Sequence, residues 1–426
     1  MKANTDNWPG FRGRQGSGLS GKVAVPGSWD DSGKGNRFRT PISGLGHSSP
    51  VIWDNRLFVT SSQGLSGDSV RAGLYGDIAP VNDNSVHTWR VWCLDKVTGT
   101  ILWSQTACVG VPKIARHPKS SQASATVATN GRVVVAFFGS EGLYCYSVTG
   151  KLLWKRDFGI LDSGFFQSVT SQWGWASSPV IGGNKVFIQC DVQRGSFIAA
   201  LDLSTGRDVW RTPRADVPTW STPLYYEKGS FRCVVVNGYR HIGGYDANTG
   251  AELWRLEGGG DIPVPTPVIS GSHVVITNAH GGKSPIYVVS LQARGTVNQA
   301  ASKQPMDRVL WSLERGGSYM QTPIVVDGLL YVCSDAGILG CYKAATGQRL
   351  YQERIGSGRT GYSASAVHNS GRLFYTSEDG EVSVVKAGPV FEVLSRNNLA
   401  GMCMATPAIS NGVLYFHTVD AILGIG

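Results

Sequence analysis

The sequence predicts an all-β protein: an eight-bladed β-propeller of four-stranded antiparallel blades, its ring closed by an N-terminal strand in the last blade. Three observations carry this. First, a turn of the form Asp-x-x-Thr-Gly followed by Trp recurs, at Asp95, Thr98, Gly99 and Trp103, at Asp202, Thr205, Gly206 and Trp210, and at Asp246, Thr249, Gly250 and Trp254. Weaker copies stand at Thr149, Gly150 and Trp154 and at Thr346, Gly347 and Tyr351. A period of roughly 40 to 55 residues marks a repeated supersecondary unit. Second, the text around each turn holds four short β-rich runs bounded by turn residues, as in residues 221–256, which is the content of a propeller blade. Third, eight innermost strands are each led in by small residues, near Ser49, Ser124, Ser178, Thr222, Thr266, Thr322, Ser363 and Thr406, and the eighth copy stops at Gly426 after three strands.

The chain reads in order from that repeat. Residues 1–35 form an irregular, Gly-, Ser- and Asp-rich lead-in packed by Trp8, Phe11 and Trp29, and residues 36–426 form one ring. The stretch around Phe38 resembles the tail of a repeat with no blade before it, so it supplies the strand the eighth copy lacks. Phe38 is therefore expected in one sheet with residues 414–416. Closure of this kind removes a free sheet edge, which would otherwise template aggregation. Small residues suit the innermost strands because these crowd the axis, and Pro at a strand's first position costs no ladder hydrogen bond. The Trp after each turn falls on an outer strand, where its ring docks on the next blade. Two stretches break the repeat: residues 63–88 in blade one and residues 292–307 in blade five. Loops of this length carry function or are disordered.

Composition narrows the function. Hydrophobic residues make up 42% of the 426, enough for a core, and 55 Gly and 13 Trp suit tight turns and aromatic docking. The formal net charge of +9 contains no Lys/Arg run, so it reads as a solubility feature and nucleic acid is not expected as a partner. Eight Cys include no C-x-x-C and no adjacent pair. Cys145, Cys190, Cys233, Cys333 and Cys341 sit in β-rich runs and read as small buried hydrophobes. Zinc is not expected, because neither Cys nor His shows paired ligand spacing, and no metal-binding residue is assigned. No apolar run reaches membrane-spanning length, and residues 1–7 show no signal-peptide pattern.

Propeller topology sorts the loops onto two faces. Blade-to-blade connections and the second-to-third-strand loops share one face, and the Thr-Gly turns lie on the other. The long connections, 109–123, 158–176 and 213–221, make the first face the candidate binding face. It gathers His47, Arg116, His117, Lys119, Trp173, Trp175, Trp220, Arg359 and Tyr362 as candidate ligand-binding residues. Arg194, Arg240, His241, His280 and Lys283 come from shorter loops there, and acids are fewer. A basic mouth with aromatics suits stacking and charge pairing. No catalytic motif appears; His117 is the candidate base if the protein is an enzyme.

The run from Leu201 to Trp210, Leu-Asp-Leu-Ser-Thr-Gly-Arg-Asp-Val-Trp, resembles the PQQ-like (quinoprotein-type) β-propeller repeat. Trp8-Pro-Gly-Phe-Arg-Gly, Gly46-His-Ser-Ser-Pro-Val, His117-Pro-Lys-x-Ser and Trp220-Ser-Thr-Pro-Leu resemble exported bacterial members. Three branches follow from the resemblance. Quinoprotein dehydrogenases hold PQQ between a vicinal Cys–Cys disulfide and a Trp, with calcium; no two Cys are adjacent here, so neither PQQ nor calcium is expected. The scaffold of the outer-membrane β-barrel assembly machine is a non-enzymatic ring that binds partner proteins through loops. Carbohydrate-active propellers would use the Trp173, Trp175 and Trp220 mouth. The reading adopted is a monomeric, periplasmic or otherwise exported, non-catalytic scaffold that binds a protein or glycan at its axial loop face. The alternative is an enzyme acting on a carbohydrate or other anionic substrate at that mouth, and a PQQ-dependent dehydrogenase is the remote one.

Overall fold

Each Asp-x-x-Thr-Gly turn is held by its own side chains. Asp95 Oδ1 accepts the N–H groups of Val97 and Thr98, both at 2.9 Å, and Asp202 and Asp246 do the same in their turns. The Gly is required on two counts. Gly206 has φ 69°, which other residues resist, and a Cβ there would sit 2.5 Å from the Trp154 ring of the preceding blade. That ring docks as the sequence predicts. Trp103, Trp154, Trp210 and Trp311 donate from Nε1 to the carbonyls of Val148, Leu203, Ala247 and Ala344 in the next blade, at 3.1, 2.9, 3.2 and 2.8 Å. Each link buries a large apolar ring and satisfies its polar handle.

The computed structural model describes residues 6–29, 35–65, 69–73, 79–168, 170–297, 308–358 and 360–426. Their strands form eight sheets around one axis, seven of four strands and one of five. Neighbours pair antiparallel, except for the added fifth strand. Blade one consists of Val51–Trp53, Arg56–Gly64, His87–Asp95 and Ile101–Gly110. Blade eight consists of Ala408–Ser410, Val413–His417, Ala421–Ile425 and, as its outer strand, Asn36–Pro41. Phe38 stands opposite Gly424, and Gly424 opposite Tyr415, so the chain's two ends complete one sheet.

The fifth strand is an addition the repeat does not announce. Gly295–Val297, from the stretch that replaces blade five's Thr-Gly turn, pairs parallel with Glu252–Leu256 on the outer edge of blade four. Residues 298–307, the rest of that stretch, lie outside the described residues. With the turn gone, the buried Trp254 Nε1 has no acceptor, unlike its counterparts in blades one, two, three and five.

The lead-in crosses the hub. Trp8 exchanges backbone hydrogen bonds with Ile52 in blade one, Pro9 O accepts the N–H of Thr129 in blade two, and Leu19 bridges His368 in blade seven. Between them Arg12 is fully buried, donating to Gly16 O at 3.1 Å and Ala366 O at 3.2 Å. Burial pushes its guanidinium down to about 9. Beyond the hub, Trp29 donates to Asn398 O and its ring lies 6.1 Å from Phe416, between blades seven and eight. All eight cysteines are free thiols; seven are buried and Cys108 is half-buried. No helix among the described residues is long and apolar enough to cross a membrane.

Candidate functional site

The innermost strands converge through a belt of hydroxyls. One Ser or Thr stands two residues before each innermost strand: Ser49, Thr126, Ser178, Thr222, Thr266, Thr322, Ser365 and Thr406. In blades two and seven this is Thr126 and Ser365, two residues past the Ser124 and Ser363 that the sequence marks. Backbone N–H groups pass around the belt from blade to blade. Ser49 donates to Thr126 Oγ1 at 2.9 Å, Thr126 to Ser178 Oγ at 2.9 Å and Ser178 to Thr222 Oγ1 at 3.1 Å. Thr266 donates to Thr322 Oγ1 at 3.0 Å, Thr322 to Ser365 Oγ at 2.9 Å and Ser365 to Thr406 Oγ1 at 2.9 Å. The small side chains are thus fixed by bonding as well as by crowding. Among the described residues the belt is interrupted twice, between Thr222 and Thr266 and between Thr406 and Ser49, and Thr266 Oγ1 is buried without a partner.

Above the belt opens an axial cavity of about 200 Å³. Its wall comes from the blade-to-blade connections: His47, His117, Lys119, Trp173, Trp220, Ile262, Val264, Tyr319, Met320 and Met404. Its floor includes Phe11 of the lead-in, so the far end of the axis is stopped by the chain's own N-terminal segment. Sequence reasoning placed Phe11 in a packing role but not here. A strap without alternation or repeat carries no signal of what it crosses.

Of the nine candidate residues, five line the cavity: His47, His117, Lys119, Trp173 and Trp220. Three stand behind it. Arg116 is buried, donating to Ser120 O and Ser69 O. Trp175 donates to Ser177 O and packs edge-on to Phe137, with centroids 4.9 Å apart. Tyr362 is buried among Leu339, Cys333 and Ile355. Arg359 lies outside the described residues, as do Asp68 and Asp77 of the blade-one insertion. The described parts of that insertion lean on the first blade-to-blade connection, Arg71 N–H donating to Pro118 O and Val81 N–H to Arg116 O.

The aromatic wall is continuous. Trp173 stacks on Phe165 with centroids 5.1 Å apart and an interplanar angle of 8°, and meets Trp220 at 5.0 Å. Trp220 is anchored by its Nε1–H to Gly174 O at 3.0 Å. Trp173 Nε1 is buried without an acceptor.

The ionisable groups at the mouth are tied to the protein itself. Lys119 Nζ lies 3.0 Å from Glu378 Oε1, and Glu378 also accepts from Ser363 Oγ at 2.6 Å and Gly73 N at 2.7 Å. Burial opposes the Glu378 charge, but Lys119 and these donors hold its carboxyl below the usual range. His117 Nδ1 accepts the Lys119 N–H at 3.0 Å, which leaves the proton of the neutral ring on Nε2. Burial, reinforced by Lys119, pushes His117 down to about 4. His47 lies between two carbonyls, Gly46 O and Lys119 O, and burial pushes it to about 4 as well. Away from the cavity, Arg214 joins Asp191 at 2.7 Å and Asp216 at 3.4 Å in a fully buried network. Beside the wall, His280 stacks on the lining Tyr319 at 5.7 Å and pairs with Asp261 at 2.6 Å.

Comparison with known proteins follows the fold. The BamB structure from Moraxella catarrhalis superposes with a TM-score of 0.56 at 16% identity, covering 86% of this chain and 98% of that one. A europium-containing methanol dehydrogenase gives 0.61 at 13% identity, covering 98% and 91%. A quinohemoprotein alcohol dehydrogenase from Comamonas testosteroni gives 0.61 at 12%, covering 99% and 80%. At these identities the likeness is one of fold. No curated protein sequence matches the chain. The family described as "Outer membrane protein assembly factor BamB" matches residues 27–156 and 149–388, and the chain belongs to that family of PQQ-like β-propellers.

Proposed function

We propose that the protein is a non-catalytic binding scaffold that engages a protein or glycan through its axial loop face. The observation that carries this is the state of the mouth. Its aromatic wall of Trp173, Trp220 and Tyr319 is presented to the cavity, while its charges are spent on internal partners. A concave, largely apolar site with a few fixed polar groups suits binding. As a general base His117 would need a free lone pair, yet Nδ1 is engaged and Nε2 carries the proton. The enzyme reading therefore lacks its candidate residue.

The lining also fails to fit a quinone cofactor. PQQ is a tricarboxylate, and the one lysine on the wall is paired with Glu378. Calcium prefers carboxylate oxygens, and none of the residues lining the cavity carries one. Family membership supports an exported, periplasmic location, and we take the working form as a monomer. The test is partner capture with Trp173→Ala plus Trp220→Ala. Recovery of an identified, saturable partner should fall at least tenfold with the unfolding midpoint of the ring retained. Unchanged recovery would move the binding site away from the mouth.

A further inference from the structure

We infer that the face of the Thr-Gly turns is a membrane-docking surface, seated on an anionic phospholipid bilayer by lysines and arginines outside any ion pair and by the apolar side chains beside them. The inference concerns the face opposite the axial mouth and does not rest on the binding reading above.

The net charge of +9 forms no run along the sequence, and the fold sorts it. Lys22, Arg132, Lys151, Arg207, Lys228 and Lys343 are all exposed on this face, and among the described residues none enters an ion pair. Lys22 comes from the lead-in, whose Val23 lies against the first hairpin of blade eight, 2.9 Å from a Cβ built on Gly412. The other five come from turns of blades two, three, four and six. The acids of this face are mostly engaged. Asp95, Asp202 and Asp246 cap their own turn amides. Asp208, Glu227, Glu252 and Glu392 pair with Arg156, Arg232, Arg255 and Lys386. Asp54 and Asp327 are the exposed acids left among the described residues. The loop face, by contrast, exposes Glu257, Glu314 and Asp379 among its cations.

The first-to-second-strand hairpins are two or three residues long in all eight blades, and outside blade five no long connection rises from this face. Short turns of even height suit a planar partner. Val23, Val97, Leu152, Val209 and Val390 are 46–74% exposed on or beside these turns. Leu152 follows Lys151 directly, and Val209 stands two residues after Arg207. On an anionic bilayer the cations meet lipid phosphates, and the apolar side chains reach the boundary between headgroups and acyl chains. A nucleic acid would use the cations and leave the apolar side chains in water. The large hydrophobics exposed among the described residues also include no aromatic ring on which bases could stack. Seated in this way, the ring turns its axial mouth away from the lipid and toward a partner.

The test is co-sedimentation of the full chain with vesicles of phosphatidylcholine, alone or mixed equally with phosphatidylglycerol. Affinity for the anionic vesicles should be higher by about tenfold or more and should fall as salt rises. Lys151→Glu plus Arg207→Glu should weaken it by about tenfold or more at about 0.1 M salt, since each cation near the surface is worth roughly fivefold. Arg315→Glu plus Arg354→Glu, the same change of charge at exposed positions on the loop face, should alter it by less than about threefold. Leu152→Ser plus Val390→Ser should weaken binding severalfold even at about 0.5 M salt, where charge is largely screened. The unfolding midpoint of each variant should match the parent, because every substituted side chain is exposed. Equal affinity for the two vesicles, binding to neither, equal losses from the two charge pairs, binding unmoved by the serine pair, or tighter binding to duplex DNA than to the anionic vesicles overturns the inference.

Discussion

The rings of Phe38 and Tyr415, from opposite ends of the chain, lie 6.3 Å apart in one sheet, on either side of the strand that carries Gly424. A Cβ on Gly424 would sit 2.7 Å from the Phe38 ring, so the glycine makes room for the closing contact. Phe38→Ala should cost roughly 2 kcal/mol, less than a fully buried site because the ring is half-exposed. Gly424→Val should cost at least as much by pushing Phe38 out. Removing residues 1–41 should leave Ala421–Ile425 as an open edge and drive association. Urea unfolding and light scattering check these, and a truncated chain that stays monomeric and stable would contradict closure as the source of ring stability.

The Lys119–Glu378 pair should behave as a buried ion pair. Lys119→Met leaves the Glu378 carboxylate, fully buried, without its ammonium and should cost about 3–5 kcal/mol. The double change Lys119→Met with Glu378→Gln should cost less than Lys119→Met alone, because the charge is removed with its partner. A double-mutant cycle in urea measures the coupling, and additive losses would mean the two groups act independently.

Stability should fall on acidification below neutrality. Burial holds His47, His117 and His417 at about 4, below the ordinary value of 6.5. Between those limits the unfolded chain binds protons that the folded chain refuses. Stability is therefore full above about pH 6.5 and declines as pH drops toward 4, by up to about 1.4 kcal/mol per pH unit for each histidine. His47→Gln and His417→Gln, compared with the parent across pH 4.5–7.5, should flatten the profile. An unchanged slope would assign the acid sensitivity elsewhere.

PQQ offered with calcium should give no saturable quenching of tryptophan fluorescence. The mouth would receive three carboxylates with its one lining lysine already paired. Tight, calcium-dependent quenching lost in Trp173→Phe would overturn the reading that this lining does not fit the quinone.

Much of the ring was legible because the repeat states it locally. The Asp95, Asp202 and Asp246 turns, the glycine beneath each indole and the orphan strand at Phe38 all declare themselves within a few residues. What escaped depends on contacts distant in sequence. The lead-in brings Phe11 and Arg12 to the hub through pairing with Ile52 and His368, and nothing near Phe11 signals either partner. Gly295–Val297 is too short to announce a strand and becomes one only on the edge of blade four. At the mouth, loop membership identified the right connections but not the direction of each side chain. Trp173 and Trp175 sit two residues apart on one loop, yet Trp173 faces the cavity and Trp175 packs against Phe137.

The most direct measurement is site-specific photo-crosslinking in cells on both faces of the ring. A benzophenone side chain at Arg240 reports the loop face, and one at Asn248 reports the face of the Thr-Gly turns; both positions are exposed. The expected result is a discrete crosslinked partner from Arg240, none from Asn248, and loss of the product when Trp173 and Trp220 are alanine. Equal products from both faces, or a product indifferent to those two tryptophans, would contradict binding at the axial loop face.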